Sequence, residues 1–144
     1  MGGPREPRRG RAGRAHRADI PIPDTDAVAT DLAAVARSLV EHATGPVGRA
    51  VQSALFSDAA RLPEPAGARR RIFADRLRRA EPLVVRAVER GELPPGTSPA
   101  EVLRTLAGPI YFRLPVTAEP VDASTADQAA RVALAAARAG VLTG

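Results

Sequence analysis

Between residues 24 and 140, apolar side chains recur at steps of three and four in five stretches, and in none do they alternate at a step of two. A period near 3.6 gives a helix one buried stripe, whereas a half-buried strand needs a period of two. The pattern restricts the chain to an all-α fold, a bundle of about five helices packed by ridges and grooves. Val28, Leu32, Val35, Leu39 and Val40 mark the first stripe, within 24–44, and Val47, Val51, Ala54 and Leu55 the second, within 44–63. The third runs from about Pro65 to Arg90 through Phe73, Leu77, Ala80, Val84, Ala87 and Val88. The fourth carries Leu103, Leu106, Ala107, Ile110, Tyr111 and Leu114, and the last, 124–140, is faced almost wholly with alanine.

Prolines, glycines and caps set the boundaries. In "ADIPIPDTD" (18–26) each residue before a proline is pushed out of the helical region, giving an extended lead-in. Asp24 or Asp26 is placed to cap the first helix, and Thr44 with Pro46 to open the second. Pro82 falls inside the third stretch and is expected to kink or divide it, since it lacks an N–H and crowds the carbonyl four residues back. Gly91 suits the left-handed position that closes a helix. Ser98-Pro99-Ala100-Glu101 reads as a capping box, Thr125 with Gln128 as a second, and Gly140 as a stop.

A chain of 144 residues holds one domain with a single core. It has no cysteine, which excludes disulfides and thiolate metal sites, and no apolar run nears the ~18–20 residues of a membrane span. A cytoplasmic protein is expected. All 21 basic residues are arginine. Residues 1–17 carry six of them against one acid, for a net +5; the remainder has 15 of each, for a net of zero. The basic character thus belongs to an Arg/Gly/Pro-rich tail, expected to be disordered, and residues 18–144 form the helical domain.

Little supports catalysis. There is no cysteine or lysine nucleophile, and the two histidines, His16 and His42, are isolated, so no enzyme activity, metal site or cofactor is expected. His42, near the end of the first helix, suits a cap or a pocket edge. "RRRIFADRLRR" (69–79) has the charge of a nucleic-acid segment, but Ile72, Phe73 and Leu77 make it an amphipathic helix with a solvated face. The alanine face of the last helix lets another helix approach closely. Two copies of the final helix pair would form a four-helix interface about a two-fold axis.

"RGELPPGTSPAEVLRTLAGPIYFRLPVTAEPVD" (90–122) resembles the C-terminal regulatory domain of the TetR family of transcriptional regulators. Arg90, Gly91, Glu92, Leu93, Pro94, Leu106, Ala107, Gly108, Pro109, Tyr111, Arg113, Val116, Thr117 and Pro120 carry the likeness, and "LVEHATGPVGRAVQSALFSDAAR" (39–61) extends it. The resemblance implies a homodimer that senses a small apolar or amphipathic effector in a pocket between the first, third and fourth helices. On that basis Phe56, Phe73, Leu77, Leu106, Ile110 and Tyr111 are expected to wall the pocket. Leu103, Ala107, Leu114, Ala129, Val132, Ala133, Ala136 and Ala137 are expected in the dimer interface. Pro109 would free a carbonyl near the pocket, and Tyr111 would have its hydroxyl satisfied.

The chain departs from the family pattern twice. Pro115 stands where an aliphatic residue is usual, and is expected to break the last turn of the fourth helix. Residues 1–17 are too few for the family's helix-turn-helix head, so no sequence-specific DNA binding by this chain alone is expected. Three alternatives stay open: a headless module that dimerises with full-length relatives, a truncated gene product, and an unrelated helical interaction module with a basic arm. Deleting residues 1–17 is expected to leave the melting temperature nearly unchanged. The same deletion should abolish any DNA retention, which should be weak, sequence-independent and lost as salt approaches ~0.2 M. Salt-resistant binding to a palindrome, measured by mobility shift, would contradict this.

Overall fold

A computed structural model describes residues 22–57 and 63–144. The tail expected over 1–17 lies outside them. Among the described residues five α-helices follow in order: α1 Val28–Thr44, α2 Pro46–Leu55, α3 Pro63–Glu89, α4 Pro99–Tyr111 and α5 Ala123–Arg138. A π-helical turn, Phe112–Val116, extends α4. Among the described residues the sole β pairing is an isolated bridge between Thr97 and Thr143. None of these helices is long and apolar enough to cross a membrane.

The core forms where α1 meets α4 and α5. Leu32, Val35, Ala36, Leu39 and Val40 of α1 share one cluster with Val102, Leu106 and Ile110 of α4 and with Ala126, Ala130, Ala133, Leu134 and Ala137 of α5. The first, fourth and fifth stripes therefore bury as their periodicity requires. α3 joins this core only through its C-terminal half, where Leu83, Val84 and Ala87 are fully buried. The second stripe behaves differently: Val47 is 56% exposed, so α2 leaves part of its apolar face uncovered.

Several boundaries are set by chemistry that the local sequence does not display. Neither Asp24 nor Asp26 caps α1; its N-cap is Ala27, without a side-chain bond. Instead the Val28 N–H donates to a carboxylate oxygen of Glu92 at 3.2 Å, across 64 residues of chain. That carboxylate also pairs with Arg90, which places a negative charge at the positive end of the helix. Asp31, buried in the first turn, accepts from the Thr25 amide at 3.0 Å and its hydroxyl at 2.7 Å, fastening the lead-in. Ser98 caps α4 by accepting from the Glu101 amide, but the box is only half made. Its own N–H donates to the Leu142 carbonyl at 2.8 Å, so the C-terminal segment has taken the donor Glu101 would need. The second box starts one turn earlier than expected: Asp122 caps α5 and Thr125 is its reciprocal partner, since an aspartate at that position outcompetes threonine three residues on.

The prolines act more gently than expected. Pro82 lies within one uninterrupted helix of 27 residues and is itself exposed, so the carbonyl it leaves unpaired is on the solvent side. Pro115 does not break the end of α4. The helix widens to π geometry there, and the Thr117 N–H donates to the Phe112 carbonyl at 3.1 Å. Gly91 and Gly140 both take the left-handed conformation, with φ of 79° and 74°.

Gly48 fixes α2 against α1. A Cβ at this position would lie 1.9 Å from the His42 carbonyl oxygen. The Gln52 amide donates to the Ala43 carbonyl at 2.9 Å and completes the clamp. Alanine is a better helix former than glycine by ~1 kcal/mol, yet Gly48→Ala is expected to destabilise by about 1–3 kcal/mol because backbone must move. Gly67→Ala meets only the flexible tip of Arg71 and is expected to be neutral or stabilising. Urea melts of the two variants check the contrast.

Candidate functional site

α3 leans on the core with its C-terminal half and stands away with its N-terminal half. The gap is an open cavity of about 100 Å³ between α1, α3 and α4. Val35 and Leu39 of α1, Phe73, Leu77 and Ala80 of α3, and Leu103, Leu106, Ala107 and Tyr111 of α4 form its walls, with Ile22 of the lead-in beside them. Arg76 and Arg79 are the charged groups of the lining.

One side of the cavity is a compact aromatic and cationic cluster. Phe73 and Tyr111 meet edge to face, with ring centroids 5.4 Å apart and planes at 85°. The Arg76 guanidinium lies 5.7 Å from the Phe73 ring centroid, a cation–π contact. It donates to the Tyr111 hydroxyl at 3.3 Å and lies 3.3 Å from His42 Nε2. Because a guanidinium only donates, Nε2 must be the acceptor, which puts the histidine proton on Nδ1 and leaves the ring neutral. Burial, reinforced by the Arg76 charge, holds the His42 pKa below its ordinary value, in agreement with that tautomer. Burial raises the Tyr111 pKa, so its hydroxyl stays protonated, although Arg76 opposes the shift. Behind the cluster His42, Gly48, Val51 and Gln52 enclose a residual void of about 10 Å³.

A second concavity, of about 370 Å³, lies on the opposite side of α4. Pro109, Arg113, Ser124, Thr125, Gln128, Ala129 and Val132 line it. Val132 in this lining is 46% exposed, and Phe112 and Val116 of the π turn are 56% and 64% exposed. Pro109 is thus on the α5 side of α4 and not beside the apolar cavity.

Residues 22–133 match the Tetracyclin repressor-like, C-terminal domain family. The HTH-type transcriptional regulator AqdR from Rhodococcus erythropolis is 32% identical over 118 residues, covering 81% of this chain and 56% of that regulator. The chain belongs to the TetR family. It corresponds to the C-terminal domain of such a regulator, and it spans about half the length of the curated relative it matches.

Within this TetR-type domain, Phe73, Leu77, Leu106 and Tyr111 come together in the lining of the cavity. Phe56 does not: it caps the end of α2 and is 47% exposed. Ile110 is fully buried in the core and is not among the side chains that line the cavity. Leu103 and Ala107, expected at a dimer seam, line the cavity instead. Ala129, Ala133 and Ala137 are 2%, 0% and 0% exposed within the single chain, because α5 spends its alanine stripe on α1 and α4. Leu114 and Ala136 are half-buried, and Val132 is the most open of the expected interface residues. His42, expected at a cap or a pocket edge, borders the Arg76–Tyr111 cluster, whereas Arg76 was not among the expected pocket residues. The signal was present: Arg76 follows Phe73 by three and precedes Ala80 by four, and His42 follows Leu39 by three.

The His42 shift has a pH consequence. The unfolded chain binds that proton more readily than the folded one, so this stabilisation is full above pH 6.5, the ordinary value, and is lost as pH falls through the lowered folded value. Thermal melts from about pH 7.5 down to about pH 5.5 should show a falling midpoint, with a shallower fall in His42→Gln. Equal slopes in the two proteins would mean that His42 does not titrate across this window.

Proposed function

We propose that this domain is the effector-sensing and dimerising part of a TetR-type transcriptional regulator, working in the cytoplasm. One observation carries the reading: α4 is shared by two surfaces. Leu103, Leu106, Ala107 and Tyr111 face an apolar cavity, while Pro109 and the π turn after Tyr111 face outward next to α5. An occupant of the cavity presses on one side of this helix, and a partner protomer rests on the other. A ligand that favours one position of α4 then shifts the population of dimer geometries. DNA reading is not assigned to this segment; its part is to bind and to pair.

The exposed apolar side chains support pairing. Val132 lines the α4–α5 groove half exposed, Phe112 and Val116 of the π turn that follows α4 are also exposed, and a second copy of the same surface would cover them. Ala136 keeps part of its surface open on α5, whereas Leu114 packs against the core and the buried alanines do not take part. Light scattering at micromolar concentration is expected to give about twice 15.0 kDa. Val132→Glu should give a monomer with a nearly unchanged fold, since Val132 is half exposed in the single chain. A wild-type monomer would contradict the pairing role.

The cavity supports sensing. A ligand that binds only the folded state adds ~2.7 kcal/mol at a hundred times its dissociation constant. In a domain of this size that raises the melting temperature by several degrees. A thermal-shift screen of apolar and amphipathic compounds should find a stabiliser whose effect is lost when Ala107→Phe fills the cavity. A stabiliser that acts equally on the filled variant would bind elsewhere and contradict the assignment.

A further inference from the structure

Arg76 is half-buried against an apolar cavity, and its polar partners among the described residues, Tyr111 and His42, are both neutral. A guanidinium removed from water in this way normally faces a carboxylate. Its five N–H donors are only partly used: one goes to the Tyr111 oxygen and one to His42 Nε2. The Tyr111 hydroxyl accepts from Arg76, and its own proton has no acceptor among the described residues. Among the described residues the surroundings do not supply the missing charge. The nearest acid along α3, Asp75, is shared by Arg78 and Arg79, and Arg79 also lines the cavity.

We propose that the cavity takes an apolar acid, whose hydrophobic body lies among Leu77, Leu103 and Leu106 and whose carboxylate is held by Arg76 and the Tyr111 hydroxyl. The inference rests on the effector-sensing reading of the same cavity and names the chemical class of the effector. A carboxylate matches the planar fork of arginine, and a single arginine with one hydroxyl suits a monoanion better than a phosphate dianion. The cation–π contact with the Phe73 ring, at 5.7 Å, supports the guanidinium without neutralising it. Neutral His42 fixes the second edge by accepting from it. The enclosed space, about 100 Å³, is smaller than the ~150 Å³ cavity that accommodates benzene, so a short alkyl chain or part of a ring fills it and the remainder leaves through the open side.

The test is calorimetric titration of the full chain at pH 8 with three probes of matched body, 4-butylbenzoate, 4-butylbenzamide and 4-butylbenzylamine, and with acetate. The benzoate is expected to bind about tenfold more tightly than the amide, as a charge-assisted pair requires, with the amine weakest and acetate not detected. Arg76→Met keeps an apolar stem and removes the charge; it should reduce the benzoate preference to about twofold or less while leaving amide binding in place. Tyr111→Phe should weaken the benzoate several-fold. If Arg76→Met fails to fold by circular dichroism, Arg76→Gln, which keeps a polar group at the site without the charge, takes its place, and the wild-type comparison of benzoate with amide stands whichever variant folds. An amide that binds as tightly as the benzoate, or a preference that survives loss of the Arg76 charge, overturns the acid while the effector cavity stands. Binding of none of the four overturns both.

Discussion

The close approach that alanine allows along α5 is the constraint from which the rest of the bundle follows. Ala126, Ala130, Ala133 and Ala137 bring α5 against α1 and α4, and with Leu134 they fill that side of the core. Methyl side chains contribute little area each, but they let helix axes come near the short end of the usual 8–10 Å spacing. With that side closed, α3 has to cover the opposite face of α1 and α4. It succeeds where Leu83, Val84 and Ala87 sit and not where Phe73 and Leu77 sit, so the cavity is the part of the core that α3 leaves unfilled.

Polar groups then hold the ends in place. Glu92, from the turn between α3 and α4, caps α1; Leu142 and Thr143, near the C-terminus, pair with Ser98 and Thr97 before α4. Arg37 and Asp127 join α1 to α5 through two bonds of 2.8 Å at the surface. That pair raises the arginine pKa and lowers the aspartate pKa, but solvent screening keeps it a minor tie. These contacts leave α1 and α5 as a fixed block, while the N-terminal half of α3 and the end of α4 border open space. Under the sensing role, those two segments are where an occupant would act.

The helices were legible because the periodicity of Leu32, Val35 and Leu39, or of Leu103, Leu106 and Ile110, reflects burial directly. The caps of α1 and α5 were less so. Glu92 acts on α1 across a long loop, and no local pattern reveals such a partner; Asp122 and Thr125 compete for one role at neighbouring positions. Of the cavity, Phe73, Leu77, Leu106 and Tyr111 were readable from size and spacing. Ile110 was not separable from them, since one broad apolar stripe on α4 serves both core and cavity. The alanines of α5 were assigned outward because sequence shows that a face is small without showing which neighbour uses it. Arg76 was masked by its setting: in a run of six arginines and one aspartate, charge distinguishes none of them, and only the spacing of Arg76 to Phe73 and Ala80 marks it.

The central claim is that cavity and pairing surface communicate through α4. The chain has no cysteine, so a single Arg138→Cys at the exposed last turn of α5 can carry a nitroxide label without interference. Electron-spin distance measurement between the two labels of a dimer, with and without a thermal-shift stabiliser bound at saturation, reads the geometry directly. The account predicts a displaced or narrowed distance distribution when the cavity is filled, and the unliganded distribution again in the presence of stabiliser when Ala107→Phe blocks its binding. An identical distribution with the ligand demonstrably bound would contradict it.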